Sequence, residues 1–215
     1  MIESEHFNLE KPICRLVKKD DFPQIIDLME RLAIPFEDLH SRAIYTAIFR
    51  EALRDKRIVF AVADLQGKLI GLVIAIIDRK NFLISFFLKH PILVIEMVFK
   101  KVFRKLGKSM NEKAPDPEQL ETISKYLSPS HSGFSWWDSS PEIAKAIFIS
   151  VDPSYRGSGV GLELNQYRDK VFIERGVKRY DGYVEIHRVP QFHLLHKTGF
   201  RIERRGNKFF VSKKM

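Results

Sequence analysis

The hydrophobic and polar positions of the chain repeat with two different periods. Runs that alternate with period two predict short strands, and runs with a period near 3.6 predict amphipathic helices. Before residue 80 the predicted elements are a strand at 12–17, helices at 22–33 and 41–54, and strands at 57–63 and 69–77. Asp20 and Asp21 precede the first helix. We expect them to cap it, because short acidic side chains accept hydrogen bonds from the first free amides of a helix.

The carboxy-terminal part of the chain has a more regular pattern. Its predicted elements are a strand at 145–151, a helix at 160–175, a strand at 180–186, a short helix at 189–197, and a hairpin of strands at 200–203 and 208–212. Gly176 follows the long helix directly, where glycine commonly ends a helix. Strands interleaved with helices in this way predict a mixed α/β (α+β) fold, with residues 1–215 in one domain.

Residues 79–144 are the unusual part of the chain. The segment 92–106 predicts an amphipathic helix with apolar residues on one arc and mostly lysine and arginine on the other. A short helix is predicted at 118–127, and the serine-rich loop after it carries Trp136 and Trp137. Two interpretations of 92–106 stay open: its apolar arc packs on the sheet, or the helix lies on a membrane surface.

Composition narrows the class of protein. The 215 residues are 45% hydrophobic and 29% charged, which is ordinary for a globular domain. The formal net charge of +9 favours an anionic ligand or surface. No nucleic-acid-reading motif accompanies the charge, so we do not expect a nucleic-acid partner. The single cysteine, Cys14, excludes an internal disulfide and fits the reducing cytoplasm.

The segment 151–162, with the sequence VDPSYRGSGVGL, carries the clearest chemistry and lies between a predicted strand and a predicted helix. Its glycines at 157, 159 and 161 allow positive φ and a close approach of a ligand to the backbone. The first amides of the following helix lack internal partners and lie at the positive end of the helix dipole, so they predict a phosphate or pyrophosphate site. A tight turn without a ligand is the alternative. Leu162 stands where a Walker loop needs lysine and a dinucleotide fingerprint needs a third glycine.

The segment from Arg156 to Gly161 resembles the Gln/Arg-x-x-Gly-x-Gly/Ala signature of the GNAT (Gcn5-related N-acetyltransferase) superfamily. Further along, Val184, the run 188–194 and the Gly-Phe pair at 199–200 resemble that family's fifth strand, fourth helix and helix ending. The resemblance implies the GNAT fold, a mixed central sheet with flanking helices and with strands splayed at the cofactor site. Residues 79–144 match nothing general in that family, so we interpret them as a helical insertion within the domain. It also implies direct transfer of an acetyl group from acetyl-CoA to a primary amine, without a metal and without an acyl-enzyme.

The same resemblance assigns residues to the cofactor. The implied cofactor-binding residues are Ile149, Val151, Arg156, Gly157, Ser158, Gly159, Val160, Gly161, Leu162 and Arg188, the last in place of a common asparagine. The amides of 157–162 would bind the pyrophosphate, and the main chain of Ile149 and Val151 would pair with the pantetheine arm. An amide near Val151 would stabilise the oxyanion of the tetrahedral intermediate.

The resemblance does not supply the acid and the base. The tyrosine acid of many relatives corresponds to Leu195, and the glutamate base of some falls at or near Lys145. Histidine suits proton transfer near neutral pH. His193 and His196 on the short helix, together with Tyr183 on the preceding strand, are therefore the catalytic candidates. Ordinary surface histidines and a core tyrosine are the alternatives.

The acceptor is only indicated by scattered residues. Glu37 and His40, between the first two helices, together with Trp136 and Trp137, are the candidate substrate-binding residues. The Glu37 carboxylate can hold a cationic amine, or it can simply be a solvated loop residue. The two indoles can stack on a sugar, or they can be buried against the inserted helix. We expect a small-molecule amine such as an amino sugar. The alternatives are a protein N-terminal or lysine acetyltransferase and a non-catalytic acetyl-CoA-binding domain. A homodimer, a cytoplasmic location and peripheral membrane contact through 92–106 complete the expectations.

Overall fold

The computed structural model describes residues 11–32, 42–91, 117–128, 138–184, 189–205 and 208–215. Within these ranges seven strands form one sheet in the order β1-β2-β3-β4-β5-β7-β6. The strands are β1 (Ile13–Leu16), β2 (Ile58–Leu65), β3 (Lys68–Ile77), β4 (Ile143–Val151), β5 (Arg179–Val184), β6 (Arg201–Arg205) and β7 (Lys208–Lys214). The α-helices of the same ranges are α1 (Phe22–Arg31), α2 (Arg42–Ala52), α3 (Arg79–Lys89), α4 (Pro117–Ser124), α5 (Val160–Glu174) and α6 (Val189–Lys197).

The sheet is antiparallel except between β4 and β5, and these two strands separate soon after they begin. Their parallel pairing joins 143–145 to 179–181 only. β4 nevertheless continues to Val151 and β5 to Val184. The outer half of β4 is therefore paired with β3 on one side and borders a gap on the other.

A bulge in β4 lies at the point where the two strands separate. Ala146 pairs with Ala75 of β3 and Phe148 pairs with Ile74, so Ile147 has no partner on β3. A bulge bends its strand and increases the local twist. The extra residue therefore accounts for the divergence of β4 from β5.

Apolar side chains alternate along the strands and cover both faces of the sheet. On one face, Ile25 of α1 packs with Phe60 and Leu72 in a cluster that includes residues of α1, α2 and α3. On the other face, Leu164 of α5 packs against Val73. A further cluster joins α4, α5 and α6 to the carboxy-terminal strands. The sheet is therefore covered on both sides around the gap between β4 and β5.

The predicted acidic cap at Asp20 and Asp21 has a different role in the structure. No side chain caps α1. The Asp21 carboxylate accepts hydrogen bonds from Arg15 at 2.6 and 2.8 Å and from the Lys18 amide at 2.7 Å. Burial opposes ionisation of Asp21, but these bonds hold its pKa below the ordinary value. The carboxylate thus ties the approach to α1 onto β1.

The region 79–144 begins with a helix that the sequence pattern did not predict. α3 follows β3 directly, and its Phe82 and Phe86 are buried against the cluster of α1 and α2. The predicted helix at 92–106 lies outside the described residues, so its packing and its membrane contact both stay predictions. Among the helices of the described ranges, none combines the length and apolar content that a bilayer crossing needs.

Candidate functional site

The loop after β4 approaches helix α5 through two residues with positive φ. The Asp152 side chain accepts a hydrogen bond from the Ser154 amide at 3.0 Å, and Pro153–Tyr155 form a turn of 3-10 helix. Gly157 and Gly159 have φ values of 84° and 92°. Residues with a Cβ rarely enter this region. The backbone conformation at Gly159, the N-cap of α5, therefore favours glycine over most other residues.

Four amides at the start of α5 have no hydrogen-bond acceptor among the described residues. They belong to Gly157, Gly159, Val160 and Gly161. The next two amides of the helix both donate to the Gly159 carbonyl, at 2.9 and 3.1 Å. Unpaired amides at the positive end of a helix dipole bind anions. The predicted phosphate site therefore has its donors in place.

The outer half of β4 presents main-chain groups to the gap. The Asp152 amide donates to the Ile70 carbonyl of β3 at 2.8 Å. Because hydrogen bonding alternates along an antiparallel pair, the main-chain groups of Val151 and Ile149 face away from β3. Arg156 Nε, outside the sheet, donates to the Val151 carbonyl at 3.3 Å. β4 therefore offers an open strand edge directly beside the amides of the loop.

A cavity of about 670 Å³ occupies the gap between this strand edge, the loop and α6. Predicted cofactor residues that line it are Ile149, Val151, Arg156, Gly157, Gly159, Gly161 and Leu162. The Ser158 hydroxyl instead donates to the Tyr155 carbonyl at 2.7 Å, and the Val160 side chain packs in the core. Arg188 lies outside the described residues.

Several residues of this cavity were not predicted as site residues. They are Leu32 after α1, Phe148 and Ser150 of β4, Tyr155 of the loop, and Gln191, Leu194 and Lys197 of α6. Arg156 and Lys197 give the cavity a positive rim, and the described lining residues include no carboxylate. This charge balance suits a ligand with several phosphates. α1 and α6 contribute only through tertiary packing, which has no local sequence signal.

A second cavity of about 330 Å³ lies between β4 and β5 and adjoins the first. Four lining residues belong to both cavities: Phe148, Ile149, Gln191 and Leu194. Tyr180 and Tyr183 of β5 both line the second cavity. Because side chains alternate between the faces of a strand, these two tyrosines lie on opposite faces of the sheet. The cavity therefore passes from one face to the other through the gap.

The three catalytic candidates differ in their relation to these cavities. His193 is exposed and lines the first cavity. Tyr183 is 39% exposed, lines the second cavity and packs edge-on against Phe210, with ring centroids 5.4 Å apart. His196 is exposed and lines neither cavity; its ring centroid lies 5.5 Å from that of Tyr126. The geometry thus brings two of the three candidates to the site.

The positions that correspond to the usual acid and base hold very different residues. Leu195 is buried and lines the second cavity, so this position offers no proton. Lys145 is fully buried, with its Nζ 2.6 Å from Oδ2 of Asp181 on β5. Arg179 Nε also donates to Asp181, at 3.1 Å. Burial lowers the pKa of Lys145, although Asp181 acts in the opposite direction. The pair was not predicted, because nothing local links residues on two separate strands.

The candidate acceptor residues Glu37, His40, Trp136 and Trp137 all lie outside the described residues. Their roles therefore stay predictions. Tyr183 and Lys208 are the described residues that line the second cavity from β5 and β7 with a polar group.

The fold is shared with known N-acetyltransferases. The PaiA N-acetyltransferase from Thermoplasma acidophilum in complex with coenzyme A matches with a TM-score of 0.55 and 15% identity, over 95% of this chain and 99% of that chain. The ribosomal-protein-S18-alanine N-acetyltransferase from Escherichia coli matches with a TM-score of 0.56 and 12% identity, over 94% of this chain and 93% of that chain. An acetyltransferase of the GNAT family from Streptococcus pneumoniae matches with a TM-score of 0.57 and 13% identity, over 95% of this chain and 100% of that chain. Neither a protein-family profile nor a curated protein sequence matches the chain.

These likenesses define the chain as a GNAT-fold protein, and they confirm the fold predicted from the resemblance. The defining features are the mixed seven-stranded sheet, the gap between β4 and β5, and the loop at the start of α5. At these identities the similarity establishes the fold. The activity has to be argued from the site itself.

Proposed function

We propose that the protein is an acetyl-CoA-dependent N-acetyltransferase that acts on a primary amine of a small molecule. The observation that carries the proposal is the set of four acceptor-free amides at the start of α5, beside the open edge of β4. Such a site suits a pyrophosphate joined to an extended arm that can pair with a strand edge. Coenzyme A contains both parts, and the Thermoplasma acidophilum neighbour is in complex with coenzyme A.

The residues of the site act by binding and orientation in this proposal. The loop amides hold the pyrophosphate, while Arg156 and Lys197 add positive charge at the rim. The main chain of Ile149 and Val151 pairs with the arm. Acetyl-CoA supplies a thioester that an amine attacks directly. A donor preorganised where the oxyanion develops, such as an amide near Val151, is worth about 3–4 kcal/mol, and alignment of the two substrates lowers the barrier further.

Proton transfer in this proposal is assigned to residues that border the cavities. His193 lines the first cavity and Tyr183 the second, whereas His196 is the weaker candidate because it borders neither. General acid or base help is worth about 10²–10⁴-fold in rate. Each of the two residues can therefore be tested by the pH profile of its variant.

A small-molecule acceptor is favoured by the size of the second cavity. Its volume of about 330 Å³ lies at the lower end of small-molecule pockets, which span about 300–1,000 Å³. An amino sugar, a polyamine or an amino acid is of suitable size. A protein amine is the alternative, and the Escherichia coli neighbour is a ribosomal-protein-alanine N-acetyltransferase. A domain that binds acetyl-CoA without catalysis is the third candidate.

A cytoplasmic location is part of the same proposal. Cys14 is the single cysteine. Burial, with a contribution from Glu163, raises the pKa of Cys14 to about 11. The thiol is therefore protonated at neutral pH and reacts slowly, as expected of a structural cysteine in a reducing compartment. A homodimer stays a prediction, which sedimentation analysis would test.

Two measurements on the full chain test the proposed function. Calorimetry measures acetyl-CoA binding, and thiol release from acetyl-CoA is followed over a panel of amino sugars, polyamines, amino acids and peptides. Binding together with release by a small amine supports the proposal. Release with peptides alone favours the protein acceptor, and binding without release favours a non-catalytic domain. Absence of binding contradicts all three.

Replacing Arg156 by Ala is expected to weaken acetyl-CoA binding about three- to tenfold at low salt. The loss should shrink at high salt, because interactions of exposed charges are screened over about 8–10 Å at ordinary ionic strength. Titrations at several salt concentrations measure this. Lys178→Ala is the matched control, since Lys178 is an exposed base that lines neither cavity. A loss of equal size at every salt concentration would show instead that Arg156 acts through its bond to Val151.

A further inference from the structure

The face of α5 that points into the protein contains two polar residues among apolar ones. Asn165 is 2% exposed and Arg168 is 1% exposed, whereas Val160, Leu164 and Phe172 on the same helix fill the core. Burying a charged group is costly unless it is paired and hydrogen-bonded. Of the described residues that line the two cavities, Arg168 is the one charged side chain that is buried.

The contacts of Arg168 fix its guanidinium without neutralising it. Its Nη1 donates to the Asn165 side-chain oxygen, while Nε and Nη2 donate to Oδ1 of Asp169 at 3.0 and 2.6 Å. Lys213 Nζ shares Asp169 through its other oxygen, at 2.6 Å. The cluster therefore has two cations and one carboxylate, with a net positive charge.

Aromatic contact completes the environment of this guanidinium. Its carbon lies 4.2 Å from the ring centroid of Tyr180, which is within the range of a cation–π contact. The hydrogen bonds above use three of the five N–H groups of an arginine. The Tyr180 side chain is a further hydrogen-bond partner of this guanidinium. Arg168 therefore places a fixed positive charge in the wall of the second cavity.

The position of Arg168 relative to the loop defines where an anion would meet this charge. Arg168 is eight residues after Val160, the first residue of α5, which places it about 12 Å deeper along the helix at 1.5 Å per residue. It lines the second cavity together with Leu195, on the α5 side of the sheet. Tyr183 lines the same cavity from the other side. A ligand arm that starts at the loop and follows β4 therefore ends between Tyr183 and Arg168.

We propose that Arg168 is the residue that stabilises the departing thiolate of coenzyme A; this inference rests on the proposed function. The amine nitrogen forms a bond to the thioester carbonyl carbon, and the carbon–sulfur bond breaks with its electron pair going to sulfur. The proton lost by the amine goes to His193 or Tyr183, the residues to which the proposed function assigns proton transfer. Arg168 keeps its own protons and holds the thiolate by charge, so the position of Leu195 needs no proton donor.

The thiol of bound coenzyme A reports this interaction without any acceptor. An opposite charge nearby lowers the pKa of an acid by about one to three units. We expect the thiol pKa in the complex to lie at least one unit below that of free coenzyme A in the same buffer. A shift of one unit means that the protein binds the thiolate form about tenfold more tightly than the thiol form. The ultraviolet absorbance of the thiolate measures it, with the desulfo-coenzyme A complex as the blank.

Two substitutions of Arg168 attribute the effect to its charge. In Arg168→Met the thiol pKa should rise to or above that of free coenzyme A, because burial without a cation raises it. Arg168→Lys keeps a charge and should give a value between the wild type and free coenzyme A. This variant provides the comparison if Arg168→Met does not fold. Desulfo-coenzyme A has no thiol, so the pH dependence of its affinity should be the same in the wild type and in every variant that binds it.

The outcomes separate this inference from the proposed function. A wild-type complex whose thiol pKa equals or exceeds that of free coenzyme A overturns the role of Arg168 and leaves the proposed function standing. The same holds if the Arg168 variants keep the wild-type pKa. If coenzyme A and acetyl-CoA do not bind at all, the proposed function fails and the inference fails with it.

Discussion

Replacing Gly159 by Asp is expected to weaken acetyl-CoA binding at least a hundredfold, or about 2.8 kcal/mol, while the protein stays folded. Gly159 is the N-cap of α5, and its neighbours' amides have no acceptor. A carboxylate there would place negative charge in a site built for an anion. A Cβ at this glycine would meet no atom within 4 Å, so the side chain causes no clash. Isothermal titration with acetyl-CoA measures the loss, and thermal unfolding monitors the fold.

Gly159→Asn is the matched control for this substitution. Its side chain is nearly the size of Asp, and both residues tolerate the φ of 92° better than other side chains do. The two variants therefore share the same backbone strain and differ mainly in charge. We expect Gly159→Asn to bind acetyl-CoA at least tenfold more tightly than Gly159→Asp. Wild-type affinity in Gly159→Asp would contradict the assignment of the loop to the pyrophosphate.

Replacing Lys145 by Met is expected to lower the free energy of unfolding by about 3 kcal/mol. Lys145 and Asp181 are both fully buried at the last pair of the β4–β5 ladder. Removal of one partner leaves a buried carboxylate uncompensated, which costs about 3–5 kcal/mol in other proteins. The lower value is expected because Arg179 also donates to Asp181. Urea denaturation measures the change.

The double substitution Lys145→Met with Asp181→Val distinguishes a paired charge from simple packing. It removes both buried charges, and Arg179 keeps its 2.6 Å bond to Asp138. Replacement of a buried ion pair by apolar residues is often neutral or stabilising, so the double variant should lie within about 1 kcal/mol of the wild type. A double variant less stable than Lys145→Met would refute this account. The exposed pair of Lys178 and Glu142 is the control, and Lys178→Met should have no measurable effect.

The local part of the site was predictable from the sequence because its determinants are adjacent in the chain. Glycines at 157 and 159, placed between a strand and a helix, predict positive φ and free amides at a helix start. The structure has both features. The helix that Gly176 ends and the strand that precedes the loop were placed within two residues of their observed bounds for the same reason.

Local patterns were misleading where a side chain found a distant partner. Asp21 looks like a helix cap, but Arg15 offers its carboxylate two charged hydrogen bonds. α3 was missed because its apolar positions are not confined to one arc; Phe82 and Phe86 are buried while Ile84 and Leu88 are exposed. A pattern of period 3.6 predicts a helix only when one side of it is consistently apolar.

The sequence by itself determined the glycine loop and the order of strands and helices around it, because each of these depends on short-range periodicity and glycine placement. The GNAT fold was implied by the resemblance of that loop and of residues 184–200 to the family's motifs. The tertiary structure alone decided what surrounds the gap between β4 and β5. Lys145 meets Asp181 because β4 pairs with β5 at this point, before the bulge in β4 separates the two strands. Arg168 meets the second cavity because α5 packs on the sheet beside the gap. These contacts join residues that are far apart in the chain, and the free energy that places them comes from the packing of the whole sheet.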